Sequence, residues 1–310
     1  MLLVYGKLVV DSIRLMSGVR VDNLLGGGGP QSVLGARCFT DAVGFLTRSG
    51  TDLEPGHLDT LHGLGADLQG WHQFPHLQTP RIDFGYDQHQ AMLDKDAQPI
   101  SVVRQDRIWN DLLAQDLTWP VAYAEAQGIH LVSEFAHETM VRQALRLQEA
   151  TGTMLSLEPI VDTHTRSNVD AMKSLIPKMD VVCPDLEAAL LLCQTRNPVT
   201  AARALHDMGP KHVAIRAGSL GSFVAGHATP RVVQIPPLEV TVVDPTGAGN
   251  AFSGGLAASL MEGVSLIESA CNATAAACAV LEVAGLPQYS EELAGRVRRR
   301  ARQLFLTLNP

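Results

Sequence analysis

The sequence predicts an α/β fold, a central and mainly parallel sheet flanked by helices, held in a single domain over residues 1–310. Three observations predict it. From about residue 128, short apolar runs alternate with helix-like stretches, the pattern of a parallel sheet covered on both faces. Residues 2–10 form a nearly continuous apolar run, as a strand buried on both sides does. Around residue 247 a glycine turn separates an apolar run from a helical one, a strand–turn–helix order suited to the edge of such a sheet.

Each element follows in order. The first strand breaks at Gly6 and ends at Asp11. A glycine run over 26–29 then leads through Pro30 into a helix over 31–40, with proline in the first turn where its missing N–H costs nothing. Two more polar and irregular segments, 12–24 and 79–103, are expected to form lid strands. Strands are expected at 129–132, 153–157, 181–183 and 212–215, and helices at 137–150, 168–178, 185–195 and 199–208. The alanine-rich stretch 266–283 reads as a tightly packed helix. Ser290, followed by Glu291 and Glu292, has the form of a helix start with acid at the positive end. Leu293, Val297, Ala301 and Leu304 then make one apolar stripe. The arginines between 296 and 302 are thereby read as a solvated face, not a nucleic-acid patch.

Composition narrows the function. Hydrophobic residues at 46% and charged residues at 18% support a packed core and exclude a disordered chain. A formal net charge of −8 gives no global attraction to nucleic acid or anionic membrane. Of the five cysteines, Cys38, Cys183, Cys193, Cys271 and Cys278, none stands in a C-x-x-C pair, so neither a zinc knuckle nor a redox pair is legible. Reduced thiols and a cytoplasmic location are expected. The first residues lack the basic start, apolar run and small-residue site of a signal peptide, and no stretch has the length and apolarity of a membrane span. His72 and His76 have helical ligand spacing, but Pro75 between them breaks the helix such a pair needs.

The most informative segment is DPTGAGNAF at 244–252. An apolar run at 238–243 is expected to enter as a strand, and a helix carrying Ala251, Phe252, Leu256 and Leu260 leaves. Glycine lets the backbone turn tightly and bring its amides to a ligand. The free amides of the first helical turn then make an anion site, reinforced by the helix dipole. No Lys-Ser/Thr follows the glycines, which excludes the P-loop. Phe252 stands where a dinucleotide fingerprint has its third glycine.

The same string resembles the C-terminal signature D-x-T-G-A-G-D-x-F of the ribokinase-like (PfkB) carbohydrate kinases. Further landmarks fall in that family's order: 6–11 as its first strand and aspartate, 26–31 as its first glycine signature, and VGFLTRSGTD at 43–52. Glu158-Pro159, Cys183-Pro184-Asp185, Gly218 to Gly221, and 275–285 match later positions. The resemblance spans roughly residues 2–287. It implies a ribokinase-like three-layer fold with a small β lid. It implies an ATP-dependent phosphotransferase, using Mg2+ and in some members a monovalent cation such as K+. The acceptor would be a hydroxyl of a sugar or sugar-like small molecule, and a homodimer through the lid is compatible with it.

Carried over residue by residue, the resemblance assigns transition-state charge to the amides of Gly247, Ala248 and Gly249. Asp11, Gly27, Gln31 and Glu134 match acceptor positions, where a carboxylate suits hydroxyl donors. A solvated loop residue is the competing reading of Glu134. Gly218 and Gly221 match the turn beside the nucleotide. Arg216 either reaches a phosphate or forms a salt bridge, and Asn272 and Ala276 either line the adenine pocket or pack in the core. Asp244 matches a position near the monovalent cation, and Glu158, Asp185 and Glu187 match the metal side. Three departures stand out. Gln31 replaces an asparagine. Asp185 replaces the asparagine of Asn-x-x-Glu, with Glu187 one place early. Asn250 replaces the aspartate that takes the hydroxyl proton. These departures predict ligand binding with weak turnover, or a silent member of the family acting as a binding or scaffold protein.

Overall fold

The computed structural model describes residues 1–87, 92–94, 96–98, 100 and 107–308. The chain opens with strands β1 (Leu2–Tyr5), β2 (Val9–Arg14) and β3 (Arg20–Gly26), helix α1 (Gly29–Arg37), β4 (Val43–Ser49) and α2 (Pro55–Gly63). Short strands β5 (Trp71–Gln73), β6 (Arg81–Tyr86) and β7 (Met92–Leu93) precede α3 (Arg107–Leu113). The alternating half follows: β8 (Gly128–Ser133), α4 (Thr139–Thr151), β9 (Met154–Pro159), α5 (Val169–Leu175), β10 (Val181–Val182), α6 (Leu186–Leu192), α7 (Pro198–Asp207) and β11 (His212–Arg216). The chain ends with β12 (Ser222–Gly226), β13 (Thr229–Ile235), α8 (Ala248–Met261), α9 (Leu266–Leu281) and α10 (Glu291–Leu308).

Nine strands form one sheet in the order β13-β12-β11-β10-β9-β8-β1-β4-β5. Every pair from β11 through β5 is parallel, and β12 and β13 add an antiparallel edge. β1 lies at the centre of the parallel part and shows why its sequence is apolar throughout. Leu2 and Val4 face a core shared with α1, α8 and α10, while Leu3 and Tyr5 face a second core shared with α4 and the helices after it. Each such side chain contributes about 1.5–3 kcal/mol on burial, and a strand with two covered faces leaves no position for a polar residue. The fold is thus three layers, helices on either side of the sheet.

Two expectations about strands are corrected. The run 2–10 is not one strand. The break at Gly6 is where the chain leaves the large sheet, and β2 runs past Asp11 to Arg14 in a second, four-stranded sheet of order β3-β2-β6-β7. The stretch 238–243 is not a strand either. β13 stops at Ile235, before Pro236 and Pro237, which lack the N–H a ladder requires. The residues of 12–24 fall on β2 and β3, and those of 79–103 on β6 and β7. Positions 88–91, 95, 99 and 101–103 lie outside the described residues.

The terminal helix matches its sequence reading. Ser290 Oγ accepts from Leu293 N at 3.1 Å, and Leu293, Val297, Ala301 and Leu304 are buried. Arg300 grips Glu282 through two bonds of 2.7 and 2.9 Å. Among the described residues no helix is long and apolar enough to cross a membrane.

Candidate active site

Polar side chains gather at the carboxyl ends of the parallel strands, where open α/β sheets place their ligand crevices. Lys7 follows β1, Glu134 follows β8, Glu158 lies near the end of β9 and Arg216 ends β11. Two helix starts converge on the same edge. α8 is preceded by Gly247 at its N-cap, which has φ 78° and so occupies the left-handed region that favours glycine. α1 begins beside Gly28, also at positive φ, where an added Cβ would come within 2.8 Å of Asn250 Nδ2. Ser32 Oγ donates to Asn250 O at 3.1 Å and fastens the two helix starts together.

The signature turn is braced from behind. Asp244 is buried, and its two oxygens accept from Thr246 N at 2.9 Å and Gly285 N at 3.0 Å. Thr246 Oγ1 also meets Tyr86 OH at 3.0 Å, which ties β6 of the small sheet to the turn. Burial pushes the Tyr86 hydroxyl up and keeps it protonated. In the turn itself, Ala248 N bonds Pro245 O at a long 3.4 Å. The amides of Gly247, Gly249 and Asn250 have no protein partner among the described residues. Three unpaired donors at the start of a 14-residue helix have the arrangement that favours an anion.

Between this turn and the small sheet lies a cavity of about 190 Å³. Asp11, Glu134, Lys7 and Asn250 supply its polar lining, with Gly27, Gly28, Thr246 and Gly247. Ile82, Phe84, Tyr86 and Met92 of the small sheet, with Trp109 of α3, supply an apolar wall. Glu134 is buried, not solvated. It pairs with Lys7 and accepts from Trp109 Nε1 at 2.9 Å. The Lys7 ammonium also lies 4.8 Å from the Trp109 ring centroid, a cation–π position. Burial, then the nearby Arg48, pull the Lys7 ammonium well below the usual lysine range.

A second buried polar group lies behind the cavity. Arg48 Nη2 donates to Tyr5 OH at 3.0 Å and sits 3.6 Å from Glu138, which also receives Tyr5 OH and, at 3.0 Å, Ser133 Oγ. Burial pushes the Glu138 carboxyl up to about 8.

A family model described as pfkB family carbohydrate kinase matches residues 95–292. The chain belongs to the PfkB family of carbohydrate kinases. It is 26% identical over 268 residues to a cytidine kinase of Thermococcus kodakarensis, covering 86% of this chain and 91% of that one. A putative ribokinase II from E. coli, solved in complex with ATP and Mg2+, superposes with a TM-score of 0.76 at 19% identity over 96% of this chain and 99% of its own. Adenosine kinase from Sinorhizobium meliloti superposes at 0.73, also at 19% identity, over 96% and 98%. These superpositions identify the ribokinase-like three-layer fold.

Against the PfkB pattern the site residues divide. Asp11, Gly27, Glu134, Gly247 and Asn250 meet in one cavity. Gln31 does not join them. It lies behind the turn, where its side chain fills the space a Cβ on Gly247 would take, and Nε2 reaches Leu25 O at 3.4 Å. Arg216 forms a largely buried salt bridge. It is bound to Glu158 at 2.5 Å and lies against Gly249. Gly218 and Gly221 bracket a turn between β11 and β12, with Gly218 exposed. Asn272 donates to Ser259 Oγ at 3.0 Å and Ala276 packs against Gly255, so both hold α9 to α8.

The four metal-side carboxylates do not form one cluster of ligands. Asp244 braces the turn, Glu158 pairs with Arg216, Asp185 caps α6 by accepting from Ala188 N at 2.8 Å, and Glu187 is exposed on that helix. Among the described residues no group of three or more histidine, cysteine, aspartate or glutamate side chains is arranged to hold a metal. The donor set fits magnesium carried on nucleotide phosphates, which needs only one or two protein carboxylates, and does not fit a protein cage.

Sequence reasoning missed Lys7, Trp109 and Tyr86. Lys7 had a legible signal, as the one charged residue within the apolar run 2–10. Trp109 and Tyr86 had none, because their roles depend on where α3 and β6 dock.

Proposed function

We propose that the chain is an ATP-dependent phosphotransferase acting on a hydroxyl of a sugar-like small molecule that also carries an apolar or planar portion, as a nucleoside does. The observation that carries this reading is the single cavity in which Asp11 and Glu134 face Asn250 and the open amides of α8. ATP phosphates would lie on the amides of Gly247, Gly249 and Asn250, and Mg2+ carried with the nucleotide would offset their negative charge. The acceptor would hydrogen-bond to Asp11 and Glu134, and its apolar portion would rest on Phe84, Tyr86 and Trp109. The strands around 12–24 and 79–103 serve in this reading as a lid, since β6 supplies one wall of the cavity. A K+ ion near Asp244 and a homodimer through the small sheet belong to the same proposal.

One observation favours a second reading, a family member that binds its ligands and turns over slowly. Asn250 is an amide, and an amide is not a base at neutral pH. Positioned acid–base groups contribute about 10²–10⁴ in rate. Phosphoryl transfer, however, has a loose transition state in which positioning and charge stabilisation do most of the work. Slow transfer, not its absence, is the expected outcome. The test is a screen of nucleosides and sugars for ATP consumption, with melting temperature read on the same panel. A nucleoside that raises both is expected. Acceptors that raise the melting temperature without any ATP consumption identify the second reading, and a panel with neither effect overturns both.

A further inference from the structure

Asn250 and Glu158 come from different elements, α8 and β9, and meet in a hydrogen bond of 3.0 Å from Nδ2 to Oε1. Chemistry fixes which end of the amide faces the carboxylate. Glu158 is 1% exposed and lies 2.5 Å from the Arg216 guanidinium. Arg216 and His130 hold it below the usual carboxylate range against the opposing effect of burial. An ionised carboxylate only accepts, so the Asn250 atom against it is the NH2 group. That leaves Oδ1, without a protein partner among the described residues, on a side chain that lines the acceptor cavity. An aspartate at 250 would instead set a second carboxylate against Glu158 Oε1, and two carboxylates that close do not both ionise readily.

We propose that Glu158 is the positioning residue for position 250: it holds the Asn250 amide with Oδ1 toward the cavity, and the two positions share a single negative charge. Position 250 therefore holds an amide because the carboxylate already sits one hydrogen bond deeper, at 158. The departure from the family's aspartate is then half of a pair and not an isolated loss. What Oδ1 does for an acceptor rests on the kinase reading above, while the shared charge does not.

The groups facing Glu158 are Arg216 from β11 at 2.5 Å and His130 from β8 at 3.9 Å. Cys183 and Asp185, which follow β10, also act on Arg216. Against this fixed background, a carboxylate placed at 250 reports on Glu158 directly. The experiment uses the full chain in three forms: Asn250→Asp, Glu158→Gln, and the swap carrying both. Selectively 13C-labelled aspartate gives the titration of the new carboxyl by NMR, and melting temperature is read on the same samples. In Asn250→Asp the new group is expected to titrate about one pH unit or more above the ordinary aspartate range, with a lowered melting temperature. In the swap, where the amide introduced at position 158 is a hydrogen-bond donor, both effects are expected to reverse. If Asn250→Asp does not fold while the swap does, the shared charge is likewise supported. Equal titration in the two variants overturns the proposal. So does failure of both to fold, since the swap conserves the charge and the hydrogen bond. Neither readout needs turnover, so a chain that proves unable to bind Mg–ATP defeats the kinase reading and leaves this result standing.

Discussion

The two ends of the cavity are built from different materials. The end proposed for the acceptor is made of side chains: Lys7, Glu134 and Trp109, far apart in sequence and locked to one another away from water. The end proposed for phosphate is made of backbone, the amides of Gly247, Gly249 and Asn250 left open at the start of α8. A side-chain site is preorganised by its pairings, and removing one member strands another in a medium that penalises unpaired charge. A backbone site is preorganised by dihedral angles, and it fails when a residue cannot adopt them. Substitutions should therefore hurt the two ends by different mechanisms and by different amounts.

The largest effect is expected at the acceptor end. Glu134→Leu leaves the Lys7 ammonium buried without its counter-charge, and breaking one partner of a buried pair costs about 3–5 kcal/mol. Urea unfolding should show that loss, and Lys7→Met in the same background should restore part of it. If Glu134→Leu alone costs less than about 1 kcal/mol, the pair is solvated and the contrast between the two ends fails.

At the phosphate end, Gly247→Ala is expected to cost about 1–2 kcal/mol, the strain of the left-handed region for a residue with a Cβ. The new methyl would also press on Gln31, whose Cδ lies 2.9 Å from the Cβ position. Nucleotide affinity should fall alongside stability, because the first turn of α8 must shift to relieve the contact. Calorimetric titration with Mg–ATP checks it, and unchanged affinity would mean that phosphate does not rest on this turn.

A further effect is read against pH and sharpens the side-chain half of the comparison. Burial raises the folded-state pKa of Glu138 to about 8, above its unfolded value. Between those two values the folded state holds a proton that the unfolded state has released. Stability from this group is thus fully present below the unfolded pKa and is lost as pH rises toward 8. Melting temperature should decline from about pH 5 to pH 8, and Glu138→Gln should flatten that decline. A slope that persists unchanged in Glu138→Gln assigns it to another group.

The same contrast explains what the sequence disclosed. The phosphate end was legible because its information is local: DPTGAGNAF carries the turn, the helix start and the family resemblance in nine consecutive residues. The parallel sheet was legible for a related reason, since strand–helix alternation is a short-range pattern. The acceptor end was legible only in part. Asp11 and Glu134 were singled out through the family pattern and both line the cavity, but the partners that orient Glu134 are far apart in sequence. Gln31 shows the converse. It stands in the glycine signature, yet the packing of α1 against the turn places its side chain against Gly247, and nothing in neighbouring residues encodes that packing. Arg216 and Asn250 each looked like independent positions until Glu158 joined them. The single strand expected over 2–10 failed for a physical reason as well. Apolarity reports burial, and both sheets bury their half of that run.

The central claim is that nucleotide phosphate binds at the start of α8, and the melting temperature of the wild-type chain with Mg–ATP tests it most directly. A ligand at a hundred times its dissociation constant adds about 2.7 kcal/mol to the folded state. For a chain of 310 residues that corresponds to a rise of roughly 4–10 °C. The account predicts a rise of that order with Mg–ATP and its attenuation in Gly247→Ala. A melting temperature unmoved by Mg–ATP at millimolar concentration would contradict it.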